Sequence, residues 1–275
     1  MLKDITLGQF FPGNSILHRL DPRIKLILSL LYIVTIFLAN NLITIALLTA
    51  ASFLLIPLGK IPSKTVLQSL KPLRWIILFT TVLNLFWVKT GTQLVDFYFI
   101  EIYSGGIVYA VAMALRVTAL LTGTTLLISY TTSPIALTDG LEQLLSPLKK
   151  IKVPVHEFAM MMTIALRFIP TLIEETDKIM SAQKSRGADF ESGSLLDRAK
   201  ALVPIFIPLF VSAIRRADDL ATAMECRCYH GGSGRTRMNR LHYRLRDLFA
   251  ILLYLLFMAG VIALRWAPLP AFLEI

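Results

Sequence analysis

The chain has 275 residues, of which 55% are hydrophobic and only 17% charged, and its mean hydropathy is +0.66. A soluble domain of this length is not built from so apolar a composition, so the sequence reads as an integral membrane protein. The 28 Lys and Arg against 18 Asp and Glu leave a formal charge of +10. In a membrane protein such an excess marks cytoplasmic loops rather than nucleic-acid binding, so no nucleic acid is expected as a partner.

Residues 1–23 form a polar, turn-rich lead-in with Asp4 and Asp21, which does not read as a cleavable signal. Asp21 followed by Pro22 is a helix start, with aspartate as N-cap and proline at the first helical position. The apolar runs Leu26 to Ala39 and Leu42 to Leu58, broken by Asn40-Asn41, are each near the short limit for crossing hydrocarbon. They read as two spans joined by a tight outer turn. Lys60, Lys64, Lys71 and Arg74 then mark a cytoplasmic loop, and Leu73 to Val88 is a third span bounded by Trp75 and Trp87. Residues 89–106 alternate apolar and polar side chains, including Phe97 and Phe99, as a small outer hairpin or loop would.

Gly106 to Tyr130 is the fourth span and carries Arg116. An arginine at membrane depth is either functional or paired internally. Ser133-Pro134 opens an amphipathic helix ending near Lys149-Lys150, suited to the membrane surface. Val153 to Gly187 and Leu202 to Cys228 are helix-compatible and marked by prolines at Pro170, Pro204 and Pro208. Glu157, Arg167 and Glu174-Glu175 interrupt or bound the first, and the apolar part of the second is below spanning length. Both read as amphipathic helices along the cytoplasmic face, bent at their prolines. Leu248 to Trp266, followed by Pro268 and Pro270, is the last span. Only Lys89 and Arg265 among the basic residues then fall outside, which gives five spans with the N-terminus cytoplasmic.

The expected fold is therefore all-α, with about five transmembrane helices plus long coupling-type helices on the cytoplasmic side. Four spans fall within 1–130, the surface helices within 131–244 and the last span within 245–275.

Both central helices end in an arginine tripeptide, Ser185-Arg186-Gly187 and Cys226-Arg227-Cys228. Each arginine reads in two ways. It can cap a helix C-terminus, where the dipole favours it by roughly 0.3 to 1 kcal/mol. It can also be a plug for an acidic groove on a partner, since guanidinium binds carboxylate bidentately. Little points to catalysis. His18, His156, His230 and His242 are scattered, and His156-Glu157 lacks the second histidine of a metalloprotease helix. Cys226, Cys228 and His230 are too few for a structural metal site. Gly231-Gly232-Ser233-Gly234 lacks the Gly-Lys-Ser/Thr of a phosphate loop. A membrane enzyme or a free-standing carrier are the alternatives, and a carrier would show internal repeats or polar residues at mid-depth beyond Arg116.

Three runs of residues together carry a family resemblance. The first is Gly8-Gln9-Phe10 with Pro12 and Ser15, followed by His18-Arg19-Leu20-Asp21-Pro22-Arg23 and Lys25. The second is Arg167-Phe168-Ile169-Pro170 through Glu174 to Ala182-Gln183 and Arg186-Gly187. The third is Arg215-Arg216-Ala217 through Leu220, Ala221 and Ala223-Met224-Glu225 to Arg227. In these the chain resembles the transmembrane T component of energy-coupling factor transporters. The resemblance implies a non-catalytic subunit of a prokaryotic plasma-membrane importer. Its partners would be two ATP-binding-cassette ATPases, which hold the ATP and magnesium, and a small membrane subunit that captures a vitamin or a transition-metal ion such as cobalt. It further implies that Ser185, Arg186, Gly187 and Cys226, Arg227, Cys228 dock the ATPases. Met160, Met161, Met162, Phe168, Phe206 and Phe210 are expected to face the capture subunit, and Pro170, Pro204, Pro208, Glu174 and Arg116 to serve the mechanics. The chain itself is expected to hold no cofactor or metal.

Overall fold

The structure, a computed structural model, describes residues 10–97, 100–190, 194–232 and 241–266. The expected features at Asp4, Gly8-Gln9, Phe99, Ser233-Gly234, Pro268 and Pro270 lie outside the described residues. The chain falls into two compact units, one within residues 142–240 and the other within 8–141 and 241–275.

In the second of these, α1 (Pro22–Leu38) starts as its sequence dictates, with Pro22 in the first turn and the Asp21 carboxylate accepting from the Arg23 amide. After Asn41, which caps it by exchange with Thr44, comes α2 (Leu42–Gly59). The expected basic loop is partly helical: α3 (Ser63–Leu70) precedes α4 (Arg74–Trp87), and the two meet at a 58° bend. Lys71 is still in helical conformation, but Pro72 has no amide to donate one turn back, and the helix is interrupted there. At 14 residues α4 is about 21 Å long, short of the roughly 30 Å of hydrocarbon, so the third span needs α3 as well. Two short strands, β1 (Gln93–Phe97) and β2 (Ile100–Tyr103), pair antiparallel.

The central element of this unit is α5 (Ser104–Thr124), which packs on α1, α2 and α4. Ala112 and Ala119 lie in the core with Tyr32, Ile36, Ile45, Leu48 and Val261. Small residues let helix backbones approach closely where lipid supplies no hydrophobic drive. Gly123 is the sharpest case, since a Cβ there would meet the Tyr32 ring. The Tyr32 hydroxyl donates to the Ala119 carbonyl at 2.9 Å. Beyond Gly123 the expected α-helical end is a π-helix, Thr125–Tyr130. Threonine hydroxyls at 118, 122 and 124 bond carbonyls one turn back, and together with Tyr32 they compete with the regular ladder just ahead of it.

Ser133 caps α6 (Pro134–Leu144) through the Ala136 amide, and a 3₁₀ turn, Ser146–Ile151, follows. The other unit is dominated by α7 (Val155–Ser185) and α8 (Leu195–Cys226), of 31 and 32 residues. Ser194 and Asp197 close a capping box at the start of α8. Both helices continue through Pro170, Pro204 and Pro208, so the prolines do not end them. The chain returns to the membrane unit with α9 (Leu245–Trp266).

Among the described residues four helices are long and apolar enough to cross a membrane: α2, α5 with its extension to Tyr130, α7, and α9 over Leu245–Leu264. The bent pair α3 and α4 makes a fifth if it is one span. The sequence reading had α1 in place of α7. At 17 residues α1 is about 25 Å long, short for a span of its own. The apolar side chains of α4 and α9 point outward, among them Phe79, Phe86, Phe249 and Leu256, as a lipid-facing surface requires. The expected all-α membrane architecture thus holds, with one small pair of strands added.

Two arginine-capped helix ends

The two tripeptides are the same backbone structure made twice. At the end of α7, Arg186 is the C-cap, the Gly187 amide donates to Lys184 O at 3.0 Å and the Ala188 amide reaches back to Gln183 O at 3.0 Å. At the end of α8, Arg227 is the C-cap, the Cys228 amide donates to Glu225 O at 2.8 Å and the Tyr229 amide to Met224 O at 3.0 Å. Each is a Schellman turn, which satisfies the last helical carbonyls through a left-handed residue directly after the cap. Gly187 takes that conformation at φ +86°, where glycine pays no steric penalty. Cys228 takes it at φ +57° with a side chain attached, the costlier choice.

The turn closes the backbone without using the side chain of the cap. All six tripeptide residues are exposed, and among the described residues neither Arg186 nor Arg227 has an ion-pair partner. Each guanidinium therefore sits free at the negative end of its helix.

Upstream, α7 and α8 leave most of their surface uncovered. Of α7 only Val155 and Ala159 are buried. Met161, Met162, Phe206 and Phe210 are exposed, whereas Met160 and Phe168 are half-buried. Glu174 is exposed, and its neighbour Glu175 makes the contact between the helices, accepting from Ser212 Oγ and, at 2.6 Å, from a terminal nitrogen of Arg216. Near the start of α7, His156 pairs with Glu142 at 3.0 Å, which accounts for this histidine structurally. Among the described residues no three His, Cys, Asp or Glu could hold a metal ion.

Arg116 resolves to the internal reading. Its guanidinium donates at 2.7 Å to the carbonyl of Ala39, which closes α1. A second polar cluster, drawn from residues far apart along the chain, lies at the opposite end of α1. Asp247 is buried and accepts from the backbone amides of Asp21, at 3.0 Å, and Arg244, at 2.8 Å. The Asp21 carboxylate holds the Arg23 guanidinium with two bonds, and that guanidinium lies 3.8 Å from the Tyr243 ring centre. Burial works to raise the Asp21 carboxyl, but the side-chain and backbone hydrogen bonds from Arg23 outweigh it and hold the group below the ordinary carboxylate range. The Lys25 ammonium is buried against Thr131 O at 2.7 Å and Thr132 Oγ1 at 3.2 Å. The Asp21 to Lys25 part of the motif that carried the resemblance is thus a structural tie between helix starts.

A unit of apolar membrane helices and a unit of two long helices with exposed arginine caps define the class as an all-α integral membrane protein. Residues 13–238 match the family described as cobalt transport protein, CbiQ, and the chain belongs to that family. It is 52% identical over 266 residues to the energy-coupling factor transporter transmembrane protein EcfT of Ruminiclostridium cellulolyticum, covering 97% of this chain and 99% of the relative. To the proteins of the same name from Acidaminococcus fermentans and Bacillus subtilis it is 53% and 47% identical, over 97% and 96% of this chain and 98% and 100% of theirs. The resemblance drawn from the three sequence runs therefore holds over nearly the whole length.

Proposed function

We propose that this chain is the non-catalytic coupling subunit of an energy-coupling factor importer, linking two ATP-binding-cassette ATPases to a small membrane subunit that captures a vitamin or transition-metal ion. The observation that carries the reading is the pair of Schellman-closed helix ends, each leaving an exposed arginine with no ion-pair partner among the described residues. On docking, Arg186 enters an acidic groove of one ATPase and Arg227 that of the other, each guanidinium paired bidentately with a carboxylate. Breaking one desolvated pair of this kind costs about 2 to 5 kcal/mol, roughly 30-fold or more in affinity. ATP and magnesium are bound by the ATPases, and this chain moves no bond. The exposed apolar flanks of α7 and α8, with Met161, Met162, Phe206 and Phe210, take the capture subunit, where methionine suits a surface that must refit. The protein lies in the plasma membrane of a prokaryote with its N-terminus and both arginine tips on the cytoplasmic side.

The test is affinity purification of the tagged chain from detergent with mass spectrometry of what accompanies it. The native chain brings down two ATP-binding-cassette subunits and a small membrane protein, and the double variant Arg186→Glu/Arg227→Glu loses the ATPases. Retention of both ATPases by the double variant, with normal uptake, would contradict the reading.

A further inference from the structure

The turn between α6 and α7 carries a pattern that neither helix packing nor the arginine tips use. Every residue from 146 to 154 is exposed. These positions hold Lys149, Lys150 and Lys152 and the apolar Leu148, Ile151 and Val153, with no aspartate or glutamate among them. Ile151 is 73% exposed, Val153 43% and Leu148 37%. None of the three lysines has an ion-pair partner among the described residues. Glu142, the nearest acid before the turn, is buried and already bonded to His156.

The backbone closes this turn on itself. The Leu148 amide donates to Leu145 O at 2.9 Å, the Lys152 amide to Lys149 O at 3.1 Å and the Val153 amide to Leu148 O at 3.3 Å. Lys152 takes the left-handed region at φ +63°, which a residue with a side chain adopts at a cost. The result is a closed tip whose side chains are all left for something outside the chain.

The mixture of side chains says what that is. Lysine alone on a surface is ordinary solvated charge, and a single exposed isoleucine needs no explanation. Interleaved within one turn, they match the boundary of an anionic bilayer, where apolar side chains enter the acyl region and lysine stems reach back to the headgroups. An acidic protein groove is the rival occupant, and it suits the planar, bidentate guanidinium better than ammonium, a point charge that needs no fixed partner geometry. Position agrees with lipid. Helix α6 starts four residues after the π-helical end of α5 at Tyr130, and its 11 residues reach only about 16 Å, so the turn stays within range of the membrane face where α5 ends. Helix α7, which follows at once, is itself long and apolar enough to cross.

We infer that residues 146–154 are a lipid-binding tip, with Lys149, Lys150 and Lys152 on the phosphates of anionic headgroups and Leu148, Ile151 and Val153 inserted beside them. This needs only that the chain is a membrane protein and stands apart from the docking of ATPases. Three lysines close to an anionic surface favour the inserted turn by roughly 100-fold over the same turn without them.

The experiment places a polarity-sensitive fluorophore at Ile151→Cys in the full chain with Cys226→Ser and Cys228→Ser. The protein is reconstituted into nanodiscs of phosphatidylcholine, alone or mixed with phosphatidylglycerol, and brominated acyl chains serve as the quencher. In the mixed discs the emission shifts to the blue and is quenched by the brominated chains. Quenching falls to less than about half in the neutral discs, and in the mixed discs at high salt. Lys149→Gln/Lys150→Gln/Lys152→Gln makes the mixed discs behave as the neutral ones. Lys64→Gln/Lys71→Gln, which removes two exposed lysines elsewhere, leaves the response as it was. The proposal is overturned if quenching is equal in neutral and mixed discs, if it is absent from both, or if the two lysine sets reduce it equally. A blue shift that persists in detergent without lipid and without quenching assigns the tip to a protein partner and overturns it as well.

Discussion

Helix ends are treated in opposite ways in the two units. In the membrane unit they are closed by other helices: Arg116 takes the Ala39 carbonyl at the end of α1, the Asn41 amide group takes Leu264 O near the end of α9, and Asp247 takes the Asp21 amide at the start of α1. In the other unit, α7 and α8 close their own ends by Schellman turns, and the arginine at each cap is left outside. Both solutions satisfy the orphan groups of a helix terminus. The first ties a bundle together, while the second keeps a tip rigid and its charge available. The difference separates polar groups used up within the fold from charged groups left exposed, although both sets lie at helix ends.

The contrast breaks most visibly if the tips are needed for folding. Reversing both charges, Arg186→Glu/Arg227→Glu, is expected to reduce ATPase retention by more than about 100-fold, with either single change smaller. Thermal stability of the isolated chain should fall by about 1 to 2 kcal/mol at most, the cost of setting glutamate against two exposed helix dipoles. The tie in the membrane unit should behave inversely. Asp247→Ala strands two backbone amides, one of them the buried Asp21 N–H, and is expected to cost about 2 to 4 kcal/mol in detergent unfolding while the folded fraction still retains ATPases. Gly123→Ala drives a Cβ against the Tyr32 ring and should cost about 1 to 3 kcal/mol by overpacking, with little change in docking.

A smaller pair of substitutions sharpens the comparison between the two tips. Gly187→Ala places a side chain at φ +86° and should destabilise the end of α7 by about 1 kcal/mol. Cys228→Gly relieves the same strain at α8 and should stabilise that end by up to about 1 kcal/mol, less what glycine adds to the unfolded chain. Hydrogen exchange of the Ala188 and Tyr229 amides reads both. The smallest effect is the acid sensitivity of the Asp21 cap. Its carboxyl titrates lower in the folded protein than in the unfolded chain, so its stabilisation is complete above the unfolded value near 4 and is lost as pH falls through the depressed folded value. Asp21→Asn should flatten that part of the unfolding profile.

Local chemistry made much of this legible. The Asp21-Pro22 start of α1, the Ser133 cap of α6 and the two arginine ends are written within four residues of where they act, and the apolar runs mark the bundle. Contacts made across long sequence separations leave no such trace. Asp21 and Asp247 are 226 positions apart, Glu175 and Arg216 are 41 apart, and nothing in a single sequence distinguishes Glu175 from Glu174 until α8 is packed against one of them. Arg116 was legible as costly, but its acceptor is a backbone carbonyl, a group that every residue has. Just ahead of the π-helical end of α5 a tyrosine from α1 donates to the Ala119 carbonyl, a contact that periodicity cannot register. Length separated the spans poorly, because α1 and α4 fall short while α7 reaches spanning length.

The most direct test of the central claim places a photoreactive amino acid at Lys184 in one complex and at Glu225 in another, both exposed in the last turns of α7 and α8. After irradiation of the assembly in native membranes, the tip should be joined to an ATP-binding-cassette subunit at a peptide bearing carboxylates, and each adduct should vanish when the arginine beside it is reversed. Adducts to lipid, or to no protein at either tip, would contradict the account.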